Sequence, residues 1–166
     1  MSATYLNEAA FVAEIGVARG GIAIPRDYDV PFGHVVYRFF DRRRCPSDKA
    51  ATMGGWWLEF EHYRSIEAFA RRHGHSMNYA ARLFLAIRHE WSEVDAVVRC
   101  RVRAPLRAWK GRGRVIESEV TDVRDQRRTV PVQGVLEVYQ VYIPGLAWNG
   151  PLASSAFDVL GSERIT

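Results

Sequence analysis

Three groups of residues in this sequence could do chemistry, and each stands where its type is least expected. Glu137 lies in the apolar stretch Val135-Leu136-Glu137-Val138. A carboxylate among apolar neighbours is costly to bury alone, so it reads either as one half of a structural ion pair or as a catalytic group. Arg38 falls between Val36 and Phe40 on one face of a period-2 pattern. Its guanidinium needs an anion or a carboxylate there, or else it snorkels to solvent. Gly54 and Gly55 run directly into Trp56 and Trp57. Glycines allow backbone to approach a ligand closely, and adjacent strand residues face opposite ways. One indole can therefore enter the core while the other lines a cleft as a platform for a flat ring; the alternative is a core strand with an aromatic on each face.

A further set is basic. Arg99, Arg101, Arg103, Arg107, Lys110, Arg112 and Arg114 succeed one another with no acidic residue between, interleaved with Trp109, Gly111 and Gly113. The run reads either as a nucleic-acid surface with Trp109 as a stacking residue, or as a solvated strand face paired with Glu117, Glu119, Asp122 and Asp125. Its glycines match no phosphate-loop or dinucleotide fingerprint.

Other chemistries find less support. The histidines are His34, His62, His73, His75 and His89, and His89-Glu90-Trp91 does not complete a zincin pattern, so no metal site is expected. Ser65 and Ser76 read as helix caps rather than nucleophiles. Cys45 and Cys100 are too far apart in sequence for a ligand pair or a disulfide framework, which suits a reducing compartment. The 23 Lys plus Arg against 19 Asp plus Glu are mostly arginine, which favours bidentate contacts with phosphate or carboxylate. No basic leader precedes an apolar block, and no apolar run is long enough for a bilayer, so the expectation is a soluble, cytoplasmic protein with no membrane partner. Delivery into another cell is compatible with that.

At 166 residues and 48% hydrophobic, the chain suits one domain. The pattern predicts an N-terminal helix stopped by Gly20-Gly21, and an irregular connector over residues 22–33 containing Pro25 and Pro31. Residues 34–40 read as a strand, 41–49 as a polar loop, and the double-tryptophan segment as a second strand. Helices come next from Ser65 to His73 and after Ser76, stopped in the first case by Gly74. Residues 97–103 alternate Val98, Cys100 and Val102 with Arg99, Arg101 and Arg103, the pattern of a strand with one buried and one cationic face. Residues 130–143 read as one long central strand ending at Pro144-Gly145. The core is expected over 34–145, with 146–166 a tail packed across the surface by Trp148, Phe157 and Leu160.

The order of these elements resembles the mono-ADP-ribosyltransferase fold, including its toxin and RES-domain branches. The resemblance is carried by Tyr37-Arg38 on an early strand, Gly54-Gly55-Trp56-Trp57 leading into the Ser65–His73 helix, and Glu137-Val138-Tyr139-Gln140 on a late strand before Pro144-Gly145. It implies a single α+β domain with two small, mainly antiparallel sheets forming a cleft, plus short helices. It also implies that NAD is consumed as a substrate, with transfer of ADP-ribose to a protein or nucleic-acid acceptor or hydrolysis of the glycosidic bond, in the role of a toxin or effector. Carried over by position, Arg38 anchors the NAD pyrophosphate, and Glu137 steadies the positive charge on the ribose as nicotinamide leaves. Tyr37, Gly54, Gly55, Trp56, Trp57 and Gln140 complete the NAD pocket. The Ser-x-Ser of arginine-containing members is absent, and Glu137-Val138-Tyr139 replaces the Glu-x-Glu or Gln-x-Glu of toxins. Aligning from Pro144-Gly145 instead puts Gln140 at the glutamate position, the mark of an inactive relative. The rival readings are the nucleic-acid module on the basic run and a non-catalytic interaction or inhibitor protein.

Overall fold

The computed structural model describes residues 4–85, 87, 93–113, 116–121, 127–132 and 138–165. One of its strand pairs has the clearest alternation in the sequence. Strand β2 (Val35–Phe40) runs antiparallel to β4 (Ala96–Val102), with Val36 opposite Cys100 and Arg38 opposite Val98. On the far side of β2 come β3 (Trp56–Glu59), β8 (Tyr139–Tyr142), β5 (Leu106–Arg112) and β1 (Arg26–Val30), while β9 (Phe157–Arg164) lies outside β4. The resulting seven-stranded sheet has the order β1-β5-β8-β3-β2-β4-β9, and all its pairings are antiparallel. A second antiparallel sheet joins only β6 (Ile116–Thr121) and β7 (Arg127–Val132). The chain is thus a single α+β domain with two antiparallel sheets, very unequal in size, and short helices.

Period 2 distributes the strand side chains between two cores. Val36, Trp57, Val98, Cys100, Val102, Leu106, Ala108 and Val141 bury one face, together with Ala51 of α3 (Asp48–Ala51) and Ala153 and Ala156 of α6 (Gly150–Ala156). Tyr37, Leu58 and Val97 bury the other face, against α4 (Phe60–His73) and α5 (Met77–Leu85). Helix α4 presents Tyr63, Ile66 and Ala70 at helical spacing, and Tyr63 stacks on Tyr37 with ring centroids 4.1 Å apart. A smaller cluster packs α1 (Glu8–Ala13) and α2 (Ile15–Gly21) against the β5–β8 end through Ala18, Ile22, Tyr142 and Trp109.

Several expectations are corrected by these pairings. The N-terminal helix is two pieces, because the Glu14 carboxylate at the break accepts the Tyr142 hydroxyl at 2.7 Å and the Gly145 N–H at 2.7 Å. The connector contains β1, whose weak alternation reflects its place at the sheet edge, with only Val30 fully buried. Ser65 is not a cap: α4 starts directly after β3, and the Ser65 hydroxyl donates back to the Glu61 carbonyl at 3.0 Å. Ser76 does cap α5, accepting the Tyr79 N–H at 3.1 Å. Residues 130–143 are not one strand, since Val132 ends β7 in the small sheet and Tyr139 begins β8 in the large one. The tail supplies α6 and the edge strand β9, anchored by the buried Phe157 ring 4.5 Å from Trp57. Among the described residues no helix is long and apolar enough to cross a membrane.

The double tryptophan behaves as the strand geometry requires. Trp57 is 1% exposed with its indole N–H on the Gly54 carbonyl at 2.7 Å, whereas Trp56 is only half-buried. Truncating Trp57 leaves a large cavity and an orphaned carbonyl. Trp57→Ala should therefore lose about 3–5 kcal/mol of unfolding free energy in urea titrations, and Trp56→Ala distinctly less. Equal losses would contradict this division of the pair.

Candidate functional site

A cleft of about 560 Å³ opens where β2 ends and β3 begins, within the size range of small-molecule sites. Arg38 and Tyr37 enter it from β2, Trp56 and Trp57 from β3, Gln140 from β8, and Trp148 from the turn before α6. Residues from three strands that the sequence places far apart thus meet at one cavity.

Arg38 and Arg44 are cations of the wall, which also includes the Asp41 carboxylate. One Nη of Arg38 donates to the Ala51 carbonyl at 2.7 Å, and its Nε is buried with no partner among the described residues. Burial pulls its pKa below the usual guanidinium value, with the Cys45 and Cys100 thiols acting in the opposite sense. A group that starts so high remains charged. The Ala51 carbonyl is available because α3 ends there, and Ser47 caps the start of that helix, accepting the Ala50 N–H at 3.1 Å.

The paired glycines work differently from the sequence expectation. Neither lines the cleft; each makes room for a side chain of the protein itself. A Cβ on Gly54 would overlap the Arg38 guanidinium, and one on Gly55 would overlap the Tyr142 ring. Trp56 lies between Tyr142, at 4.7 Å between ring centroids, and Gly21, where a Cβ would strike the indole. Gln140 is 6% exposed and commits its amide N–H to the Gly21 carbonyl at 2.9 Å, tying β8 to the end of α2. Tyr37 is mostly covered by Tyr63, and burial raises its pKa. Glu137 and Arg114 lie outside the described residues.

The basic run is broken up by tertiary pairing. Lys110 donates to Glu59 at 2.5 Å, Arg103 pairs with Asp158 at 3.3 Å, and Arg107 bridges Glu8 at 3.0 Å and Asp27 at 2.7 Å. Trp109 is stacked on Phe11, centroids 4.4 Å apart and nearly parallel, with its N–H on the Phe11 carbonyl. Its face is therefore covered by α1, which corrects its assignment as a platform for a base. Arg99, Arg101 and Arg112 remain exposed.

Arg99 and Arg101 border a second, more open groove of about 930 Å³ at the opposite end of the β2–β3 pair, with His34, Phe60 and Glu59. Glu59 is a fixed carboxylate that sequence reading missed. It accepts the Tyr28 hydroxyl at 2.5 Å and Lys110 at 2.5 Å, with His34 at 3.7 Å. Its only signal in the sequence is a carboxylate closing the apolar run Trp56-Trp57-Leu58. Burial alone would raise its pKa, but the hydrogen bonds from Lys110 and Tyr28 and the Lys110 and His34 charges outweigh that and hold it below the usual value. Among the described residues no three His, Cys, Asp or Glu side chains form a group that could hold a metal ion.

No protein-family model matches the chain, and no curated protein matches it. Among solved structures, "Structure of Tne2 in complex with Tni2" is similar at 16% sequence identity, covering 86% of this chain and 92% of that one, with a TM-score of 0.46. So distant a likeness assigns no chemistry to this chain.

The crowding above Gly54 has a measurable cost. Gly54→Ala should destabilise the fold by about 1–3 kcal/mol, because the guanidinium above it is boxed in. In the background of Arg38→Ala most of that loss should vanish, so a double-mutant cycle on unfolding free energies should give clear coupling; additive losses would mean that Gly54 does not serve Arg38. Glu59 has a folded-state pKa below its unfolded one, so its contribution is fully present above the unfolded value of about 4.3 and is lost as pH falls through the folded value. The acid limb of the stability curve should be shallower in Glu59→Gln than in the wild type, as measured by urea titrations between neutral and acid pH.

Proposed function

We propose that this chain consumes NAD, either transferring ADP-ribose to a protein or nucleic-acid acceptor, as a toxin or effector would, or hydrolysing the glycosidic bond. The observation that carries the reading is the convergence of Arg38, Trp56 and Gln140, from three strands, on one cleft of suitable volume. A guanidinium in a cleft wall is a cation toward which a pyrophosphate is drawn. The half-buried Trp56 ring adds a π surface for nicotinamide or adenine.

In this reading Arg38 binds the pyrophosphate and Trp56 orients a ring, both already in the ground state. The chemical step breaks the bond between the ribose C1′ and the nicotinamide nitrogen. The electron pair leaves with nicotinamide, positive charge develops on the ribose, and water or an acceptor nucleophile adds to C1′ and loses a proton. Glu137 is the carboxylate expected to stabilise that developing charge, on the sequence resemblance alone. Gln140, already bonded to Gly21, supports the wall and cannot carry that charge.

The test is nicotinamide release by the wild type and three variants, with melting temperatures taken in parallel. Glu137→Gln should lower kcat by about 100-fold or more with KM little changed, since it removes charge and keeps shape. Arg38→Ala should act mainly on KM, by roughly 10-fold to 100-fold for the loss of a charge-assisted contact. Trp56→Ala should also raise KM. A wild type that neither binds NAD nor releases nicotinamide, or a Glu137→Gln variant of full activity, would sink the assignment.

A further inference from the structure

We infer that Trp148 is a ligand-contacting residue of the cleft, closing on the flat ring of an anionic, nucleotide-like molecule. The inference deepens the NAD reading of the same cleft, but requires only that a ring-bearing anion binds there.

Trp148 combines two properties that the folded protein by itself does not explain. Its backbone is left-handed, with φ +57, in a turn closed by the Asn149 N–H on the Leu146 carbonyl at 3.1 Å. Turns of this kind take Gly, Asn or Asp there, because a Cβ is crowded in that region of φ/ψ space. The chain supplies glycine three residues earlier, at Gly145 with φ +88, yet supplies its largest side chain at position 148. The turn cannot relax by shifting, since Leu146 is fully buried on one side and Asn149 caps α6 on the other, accepting the Leu152 N–H at 3.2 Å. Meanwhile the indole is 84% exposed and makes no ring contact or side-chain hydrogen bond among the described residues.

Strain held at this exposed aromatic is offset by no ring contact or side-chain hydrogen bond among the described residues, and such outliers concentrate at ligand sites. The cleft that Trp148 borders supplies the complement: the Arg38 guanidinium in its wall for an anion, and Trp56 as a second aromatic wall. A ligand carrying both a flat ring and a phosphate satisfies all three residues, and a simple anion or a simple apolar ring does not.

The experiment uses the full chain as wild type, Trp148→Asn and Trp148→Phe. Melting temperatures are measured, together with titrations of NAD, adenosine monophosphate and the aromatic anion anilinonaphthalene sulfonate. Asparagine tolerates the left-handed backbone, so Trp148→Asn should melt at or above the wild-type temperature and yet bind the probe at least about threefold more weakly, in keeping with loss of one stacked ring. Trp148→Phe should retain most of the affinity. A smaller loss of affinity in Trp148→Asn, or a fall in its melting temperature, would overturn the inference and make Trp148 a packing residue. A wild type that binds adenosine monophosphate or anilinonaphthalene sulfonate but not NAD removes the NAD reading and leaves the variants to decide this inference on that probe. A wild type that binds none of the three overturns it.

Discussion

A guanidinium held on the apolar face of β2 is the constraint to which the neighbouring chain is fitted. Arg38 shares its face with Val36 and Phe40, both part of a core, so each of its polar atoms must be met locally or left unsatisfied. The Ala51 carbonyl meets one of them because α3, capped by Ser47, ends beneath it. Gly54 gives the guanidinium room, and the Gly54 carbonyl then holds the Trp57 indole, the largest of the fully buried side chains among the described residues. One buried charge is therefore fitted to a helix, a glycine and a core tryptophan, and the same residue lines the cleft.

The walls of that cleft come from both ends of the chain. Glu14 interrupts the N-terminal helix to receive Tyr142 and the Gly145 N–H, which brings α2 against β8. Gly21 then lies under the Trp56 ring, and its carbonyl holds Gln140. From the other direction, the turn after β8 carries Trp148 to the rim before α6 and β9 complete the sheet. Burying Tyr142 raises its pKa, and the bond to Glu14 adds to that, so the contact persists across neutral pH.

At the opposite end of β2 and β3, charge is arranged for cohesion. Glu59 joins β3 to Tyr28 of β1 and Lys110 of β5, reaching past the short strand β8 that lies between. The exposed pair of Arg103 with Asp158 adds little on its own, as surface pairs do, while the half-shielded bridges of Arg107 also fix α1 by stacking on Phe11. Of the run that read as a continuous cationic surface, Arg103, Arg107 and Lys110 are matched by carboxylates, while Arg99, Arg101 and Arg112 face water.

Features that depend on nearest neighbours were legible before folding is considered. Alternation identified β4 and its buried Val98, Cys100 and Val102, adjacency sent Trp56 and Trp57 to opposite faces, and glycine stopped α4 at Gly74 in the left-handed conformation. Arg38, Trp56 and Trp57 stood out by residue type and spacing, Tyr37 and Gln140 only through the resemblance, and all five line one cleft. What each conspicuous residue does was settled by the folded arrangement alone. Gly54 and Gly55 yield space to Arg38 and Tyr142 rather than to a ligand, Trp109 is covered by Phe11, and Glu59 finds its partners on other strands. The reason is the same in each case: the deciding neighbour is remote in the chain, and no local period encodes which strand the sheet will bring alongside. Trp148 shows the limit from the other side, since the strain that marks it exists only in a folded turn whose two ends are already fixed.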